Sequence, residues 1–491
     1  MKTNEKYVKW TTKDYVKTAF MFMIEAGVLI AVLFGVFLLN FTGGGLKEFF
    51  TQGANAVYGI YSVLTVVLLV VINYIFYCYE KREFISKPSN VFMHLTIFAV
   101  SALICFGVGL VKQYARPFAL CALLSLLLID RRSAIFNNSV FCIFMLLIDF
   151  VTARNGSPMF QYDRHMVISL IINFISGTTA VFFIDGEGSR LKVLAMSFLV
   201  SVPVIISAVC LEFTTNLTAL LEVFLYSLAS GVLSVGLMML LLPFLEKAFR
   251  ALTNFRLAEL TDHKAKLIKE LQQRAPGTFQ HTILVSTLAE ACSNAIGENP
   301  LLARACAYYH DIGKMKNPTF FTENQQGHNP HDELTPELST DILRGHVTGG
   351  AELIRKSGLP EVLADAAEQH HGTTAIRYFY AKARKFTDGD LDIEDFCYYG
   401  PKPQTKINAI IMICDASEAK VRTINNRSHE NVDKAVKEII EERIDMDQFS
   451  ECDITLRELD VIRNTITNSL AGVYHERVKY PKLKMGSKNG K

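Results

Sequence analysis

Paired cysteines, tryptophan and strand-like patterns are all scarce in this sequence. The chain of 491 residues has one tryptophan, and none of its ten cysteines forms a CxxC pair. The scattered positions of the cysteines do not favour a disulfide framework, and they predict reduced structural thiols in a cytosolic compartment. After residue 278 almost no segment alternates between apolar and polar residues, as a half-buried strand would, so this region is predicted to be helical.

Charged residues are scarce in the first half only. Residues up to about 245 form nearly continuous apolar runs, whereas the rest of the chain is rich in charge. This contrast predicts an all-α protein, with a polytopic helical membrane bundle followed by an all-helical soluble domain. Eight apolar segments can be marked, at 18–40, 54–79, 91–111, 116–129, 134–152, 166–184, 193–211 and 218–245. The fourth is short, so seven crossings with a re-entrant fourth segment are the alternative.

Lysine and arginine residues favour one side of this membrane domain. With the N-terminal lysines inside, eight crossings place most loop lysines and arginines on that same side, in agreement with the positive-inside rule. We therefore expect a multi-pass protein of the cell membrane, with both the N-terminus and the soluble domain in the cytoplasm. No cleavable signal peptide is apparent, so the first apolar run is expected to be an anchor. The net charge of +2 gives no indication of a nucleic-acid polymer as partner.

The same patterns set the expected domain boundaries. Residues 1–17 are predicted to form a cytoplasmic tail, 18–245 the membrane domain, 246–276 a helical connector, 277–482 the catalytic domain and 483–491 a polar tail. Three carboxylates, Glu25, Asp149 and Glu222, lie in or near the apolar runs. An intramembrane carboxylate is a candidate for function, but a place at the interface or inside the bundle is the favoured explanation for each.

Histidine and aspartate recur through the soluble half at positions on or at the end of predicted helices. They are His281, His310, Asp311, His346, His370, His371 and Asp415. Imidazole and carboxylate together suit iron, manganese, zinc or cobalt, with no thiolate needed. Neighbours on a helix point about 100° apart, so an adjacent pair is not expected to serve one ion side by side. Two ions fit better, and Asp311 is the natural bridge because a carboxylate can bind two cations.

Two metal ions about 3.5–4 Å apart are a template for phosphoester hydrolysis, because they activate water and neutralise charge on the phosphate. Lys314 lies one turn beyond the His310-Asp311 pair, at a helix end marked by glycine. We expect it to offer a cation to a phosphate oxygen, so Asp311 and Lys314 are the candidate catalytic residues. The alternative for Lys314 is a lysine placed favourably at a helix C-terminus.

The order His281, His310-Asp311, Asp415 resembles the H…HD…D pattern of the HD-domain metallophosphohydrolases. Further motifs resemble the 7TM-HD phosphodiesterases of the PgpH type, a family of membrane proteins. These motifs are Ala275-Pro276-Gly277-Thr278, Tyr308 to Lys314 with Asn317-Pro318, Glu323-Asn324-Gln325, His370-His371-Gly372-Thr373-Thr374, Tyr378-Phe379-Tyr380, Gly400-Pro401-Lys402-Pro403, Asp415 to Arg422 and His475 to Pro481. The resemblance covers nearly all of 240–482 and, more loosely, the spans from about 90.

The resemblance implies hydrolysis of cyclic di-AMP to the linear dinucleotide pApA at a site with two divalent ions, iron or manganese. It implies that one metal is held by His281, His310, Asp311 and Asp415, and the other by Asp311, His346, His370 and His371. Family members usually have a large extracytoplasmic domain between the first two spans, whereas here about a dozen residues around Thr42 to Gly53 occupy that place.

Other functions stay open on the sequence. A cyclic di-GMP phosphodiesterase would carry a GYP signature after its paired histidines, and this signature is missing here. Two further alternatives are an enzyme that hydrolyses (p)ppGpp or a deoxynucleotide triphosphate, and a receptor that binds a nucleotide without turnover. We expect a cyclic dinucleotide and the lipid bilayer as partners, and a homo-oligomer is compatible with the sequence. Thr373, Thr374 and Tyr378, together with Lys314, are expected to contact substrate because they lie near the ligands in sequence. His328 and His331 are expected at the surface.

Overall fold

The structure, a computed structural model, describes residues 10–40, 53–152, 164–212, 216–386 and 390–473. Contacts within the chain divide it into two compact units, Met1–Arg256 and Leu257–Lys491. The division falls inside the connector expected at 246–276, while the expected domain boundaries themselves stay predictions.

The first unit is built from apolar helices. They are α1 (Thr12–Asn40), α2 (Gly53–Glu80), α3 (Arg82–Ser86), α4 (Pro88–Val111), α5 (Leu120–Leu128), α6 (Arg131–Thr152), α7 (Arg164–Ile184), α8 (Arg190–Ala195), α9 (Ser197–Glu212) and α10 (Leu217–Phe249), and α11 (Asn254–Leu260) begins at its end. Six stretches in the described residues are long and apolar enough to cross a membrane: Thr12–Leu38, Gly59–Glu80, Pro88–Val111, Arg131–Val151, Arg190–Cys210 and Leu217–Phe249. The protein is therefore a multi-pass membrane protein.

One of the eight expected spans is short in the structure. Gln113–Leu128 is an apolar helical stretch below the length of the six long spans. It corresponds to the expected fourth segment, whose shortness the sequence already indicated. The number of crossings, seven or eight, stays a prediction.

The three carboxylates in the apolar half have different surroundings. Glu25 is fully buried, with an oxygen 3.0 Å from Nδ1 of His94, which is also buried. Asp149 is paired with the buried Arg116 at 2.7 Å. Glu222 instead lies at an exposed position 3.3 Å from Lys112. Two of the three carboxylates thus point into the bundle and pair there, in keeping with the general rule for ionisable groups at membrane depth.

The second unit is helical as well. It contains α12 (Lys266–Arg274), α13 (Pro276–Ile296), α14 (Pro300–Tyr309), α15 (Pro336–Lys356), α16 (Glu361–Gln369), α17 (Arg377–Ala383), α18 (Lys406–Thr423), α19 (His429–Asp445) and α20 (Leu456–Val473). The described residues include no β-strand, only an isolated bridge between Ala375 and Cys397. The expected all-α fold is therefore confirmed.

Helix α18 is the core of the second unit. Its residues from Ile407 to Cys414 are all buried, because α13, α14, α19 and α20 pack around it. A helix that is apolar on every side is expected in such a central position. Thr405 caps the start of the helix with a hydroxyl that accepts a hydrogen bond from the Asn408 amide, and the helix carries Asp415 directly after this buried run.

Candidate metal centre

Seven side chains of metal-ligating types meet in the second unit. Ligand atoms of His281, His310, Asp311 and Asp415 lie within 4.8 Å of one another, and those of His346, His370 and His371 form a second group by the same measure. They come from α13, the turn after α14, α15, the end of α16, and α18. The structure thus brings together every residue that the sequence predicted as a ligand, although their role in binding metal stays a prediction.

Asp311 lies between the two groups and directs one oxygen to each. Its Oδ2 is 3.3 Å from Nε2 of His310 and 3.7 Å from Nε2 of His281. Its Oδ1 is 3.5 Å from Nε2 of His346 and 3.6 Å from Nε2 of His370. A carboxylate placed in this way has the geometry needed to bridge two cations.

The backbone around His310 and His370 differs from the regular helix that the sequence pattern indicated. Helix α14 ends at Tyr309, and Asp311 has φ −104° and ψ 13°, outside the α-helix. The 100° spacing of a regular helix therefore does not apply to the pair, and the His310 ring and Oδ2 of Asp311 both face the first group. Likewise α16 ends at Gln369, and the rings of His370 and His371 lie 4.1 Å apart within one group. The helical pattern of the sequence does not indicate these turns.

Hydrogen bonds orient the imidazoles toward the centre. Nδ1 of His310 donates to the Ala307 carbonyl at 2.6 Å, and Nδ1 of His370 donates to Ala367 at 2.8 Å. His346 bonds in the same way to the carbonyl of Leu343, three residues earlier on its helix. Because Nδ1 carries the proton in the neutral rings of His346 and His370, their Nε2 is left as the acceptor that a metal ion requires.

His281 is held by a carboxylate instead. Its Nδ1 donates to Oε2 of Glu418 at 2.6 Å, and its Nε2 is 2.9 Å from Oδ1 of Asp415. Glu418 is buried and also accepts from Arg422. A carboxylate that orients a metal-ligating histidine is a frequent second partner in metal sites.

The polar atoms at the centre fit a bound cation. Among the described residues, the buried His310 Nε2 and Asp311 Oδ1 have no hydrogen-bond partner. A buried acceptor without a partner is costly, and a cation would satisfy both atoms. The donor set of imidazoles and carboxylates suits a first-row divalent metal.

The two groups have different protonation states. Burial lowers the pKa of His346 to about 4 and that of His370 to about 3, so both imidazoles are neutral. Burial also disfavours charge on His281, but the hydrogen bonds to Asp415 and Glu418 outweigh it and raise its pKa to about 9. A metal ion binding to the first group would therefore displace a proton.

Lys314 forms ion pairs with two carboxylates. Its Nζ lies 2.7 Å from Oδ2 of Asp311 and 3.1 Å from Oε1 of Glu323, and the side chain is 12% exposed. The residue belongs to a 3-10 turn, Ile312–Lys316, rather than to the last turn of an α-helix. Gly313 before it packs against the backbone of α15, where a Cβ would meet the His346 carbonyl oxygen at 1.9 Å. This close approach brings Asp311 and His346 together.

The expected substrate contacts have internal partners. The Thr373 amide donates to Oε1 of Gln448, and its hydroxyl accepts from Nε2 of the same side chain, both at 2.9 Å. The Thr374 hydroxyl donates to the His371 carbonyl at 2.8 Å. Tyr378 is exposed, and its ring packs edge-on against Phe379. Their contact with substrate stays a prediction.

The structure also shows residues that the sequence analysis missed. Glu418 follows Asp415 by three positions on α18, so the helical period itself placed it on the same face. Tyr398 stacks on His371 with ring centroids 4.3 Å apart, and no sequence pattern indicated it. The expectation for His331 was wrong: it is buried, and its Nε2 bonds to the Phe320 carbonyl at 3.1 Å, whereas His328 is exposed as expected.

Comparison with known proteins agrees with this architecture. Residues 56–253 match the family of 7TM receptors with an intracellular HD hydrolase, and residues 278–420 match the HD domain. Over these two regions the chain is similar to the 7TM-HD family, whose motifs its sequence resembles.

Two curated relatives are named cyclic-di-AMP phosphodiesterase PgpH. The protein of Bacillus subtilis (strain 168) is 38% identical over 380 residues, which are 75% of this chain and 51% of the relative. That of Listeria monocytogenes serotype 1/2a (strain 10403S) is 40% identical over 331 residues, 66% of this chain and 45% of the relative. A crystal structure of the L. monocytogenes PgpH HD domain in complex with cyclic di-AMP is 46% identical, with a TM-score of 0.42, and the match covers 44% of this chain and 99% of that one. The chain spans about half the length of the curated relatives it matches.

Proposed function

We propose that the protein is a membrane-anchored, metal-dependent phosphodiesterase that hydrolyses cyclic di-AMP to pApA on the cytoplasmic side and so lowers the level of this second messenger. The observation that carries the proposal is Asp311, with one oxygen directed to each of two groups of histidine and carboxylate ligands. The substrate is suggested by the curated relatives of 38% and 40% identity that are named for this activity.

In this proposal the two ligand groups hold two divalent ions, iron or manganese, and Asp311 is shared between them. The first group is His281, His310 and Asp415, and the second is His346, His370 and His371. Bound metal ions would lower the pKa of water and offset the charge of the phosphate.

The chain's own residues prepare the site for this chemistry. Backbone carbonyls and Glu418 keep Nδ1 of the imidazoles protonated, so that Nε2 faces the centre without a reorganisation step. Lys314 balances the negative charge of Asp311 before a metal ion is present. Burial of these groups keeps water from competing for them.

A substrate panel tests the proposal. The full chain, purified in detergent and loaded with manganese or iron, is incubated with cyclic di-AMP, cyclic di-GMP and dGTP, and products are separated by chromatography. We expect conversion of cyclic di-AMP to pApA, lost in Asp415→Asn and kept in the control His328→Asn, whose side chain is exposed. Turnover of dGTP or cyclic di-GMP alone would contradict the substrate, and binding without any product would favour a receptor.

A further inference from the structure

Arg443 has an incompletely satisfied guanidinium group. The residue lies near the end of α19, with a side chain 14% exposed, and its nearest carboxylate oxygen, Oε1 of Glu442, is 3.5 Å away. That oxygen already accepts from Arg377 at 2.8 Å. Among the described residues, Nε of Arg443 has no hydrogen-bond partner. A half-buried cation with an unused donor is unfavourable unless an anion completes it.

The backbone of Arg443 is connected through Gln448 to the loop that follows His371. Its carbonyl accepts a hydrogen bond from the Gln448 amide at 3.0 Å. The Gln448 side chain in turn forms two hydrogen bonds with Thr373, two residues after His371. At Gly372, which has φ +53°, a Cβ would meet Oε1 of Gln448 at 2.2 Å, so this loop packs directly on the turn after α19.

Electrostatics agree with that placement. Burial lowers the pKa of Arg443, and the negative charges of Glu442 and Asp415 oppose this shift. Tyr398, which stacks on His371, also acts on the guanidinium. The cation is thus within electrostatic range of Asp415, which belongs to the first ligand group.

Lys314 cannot easily fill the same role. Its ammonium is engaged by Asp311 and Glu323 at 2.7 and 3.1 Å, so a phosphate arriving at the site would have to compete with two buried carboxylates. A guanidinium is planar and offers several donors, which suits the oxygens of a phosphate. Among the described residues, the ion pair of Arg443 is the single 3.5 Å contact with Glu442, whereas Lys314 has two shorter ion pairs.

We propose that Arg443 is a substrate-binding residue that donates hydrogen bonds to a phosphate group of the phosphodiester substrate. The assignment rests on the proposed function for the identity of the substrate. The chemistry it predicts, binding of a phosphate anion that depends on the Arg443 guanidinium, can be measured without turnover.

The test uses the full chain in detergent, loaded with manganese, and inorganic phosphate as the probe. Phosphate binding is measured by calorimetry for wild type, Arg443→Gln, Arg443→Lys and the control Arg355→Gln. Arg355 lies in the same unit and donates hydrogen bonds to two carboxylates, Glu361 and Glu368, both at 2.7 Å. We expect Arg443→Gln to raise the Kd for phosphate roughly 10- to 100-fold. Arg443→Lys should fall between, and the control should match wild type.

Metal content and melting temperature are measured on the same samples. Arg443→Lys keeps the positive charge and serves as the second variant if Arg443→Gln disturbs α19. An unchanged Kd in Arg443→Gln, or a wild-type protein that does not bind phosphate, would overturn the assignment. Hydrolysis of bis(p-nitrophenyl) phosphate tests the assignment of Arg443 separately from the proposed function. If KM is unchanged in Arg443→Gln while wild type turns over, the assignment fails and the function stands. If wild type shows no hydrolysis while Arg443 governs phosphate binding, the function fails and the assignment stands.

Discussion

Replacement of Lys314 by methionine should destabilise the metal-free protein more than the metal-loaded one. The substitution keeps the aliphatic length and leaves two carboxylates, the buried Asp311 and the partly buried Glu323, without their cation. Breaking a buried ion pair by removing one partner typically costs about 3–5 kcal/mol. For a unit of this size, each kcal/mol lowers Tm by about 2–4 °C, so a loss of about 6–20 °C is expected. A lysine that merely sits at a helix end would contribute under about 1 kcal/mol.

Metal ions should reduce this loss, since a divalent cation beside Asp311 replaces the missing charge. Removal of the neighbouring cation also predicts that Lys314→Met binds metal at least as tightly as wild type. Thermal unfolding of the full chain in detergent, with manganese and with chelator, measures both effects. Lys316→Met is the matched control because Lys316 is an exposed lysine in the same turn. A variant that melts within about 2 °C of wild type in chelator would refute the reasoning.

Three further outcomes are expected. Asp311→Ala should remove turnover and most bound metal while the helical content persists; retention of two metal ions, measured by elemental analysis, would contradict the bridge. Glu418→Gln should weaken metal binding about 10- to 100-fold, because His281 loses the carboxylate that orients its ring, and equal metal affinity in a competition titration would argue against this role. Reporter fusions after Lys17 and after Lys491 should both report the cytoplasm, and an external N-terminus would instead require an odd number of crossings.

The sequence predicted the helices of the second unit well because their apolar positions follow the helical period. It also predicted the seven candidate ligands, since histidine and aspartate at successive helix ends are unusual in an apolar pattern. It could not predict that α14 ends before His310, because no glycine or proline marks that point and the apolar pattern continues to Ile312.

Contacts between residues that are distant in the chain could not be predicted from the sequence either. The ion pairs of Lys314 depend on Glu323, which is nine residues away in a loop without periodicity. The burial of His331 depends on packing against Phe320 and Phe379. Such contacts are set by how loops pack on the helices, and local composition gave only the polar character of the loop around His331.

The seven candidate ligands belong to five separate segments, spread over 135 positions from His281 to Asp415. No pair of neighbouring helices can form the centre, so an ion held there would bind only the assembled domain. Such binding stabilises the fold by about 2.7 kcal/mol for each site when free metal is one hundred times its Kd. Metal supply would then set how much of the protein survives proteolysis in the cell, in addition to its rate of turnover. Scarcity of the metal would thus deplete the protein itself.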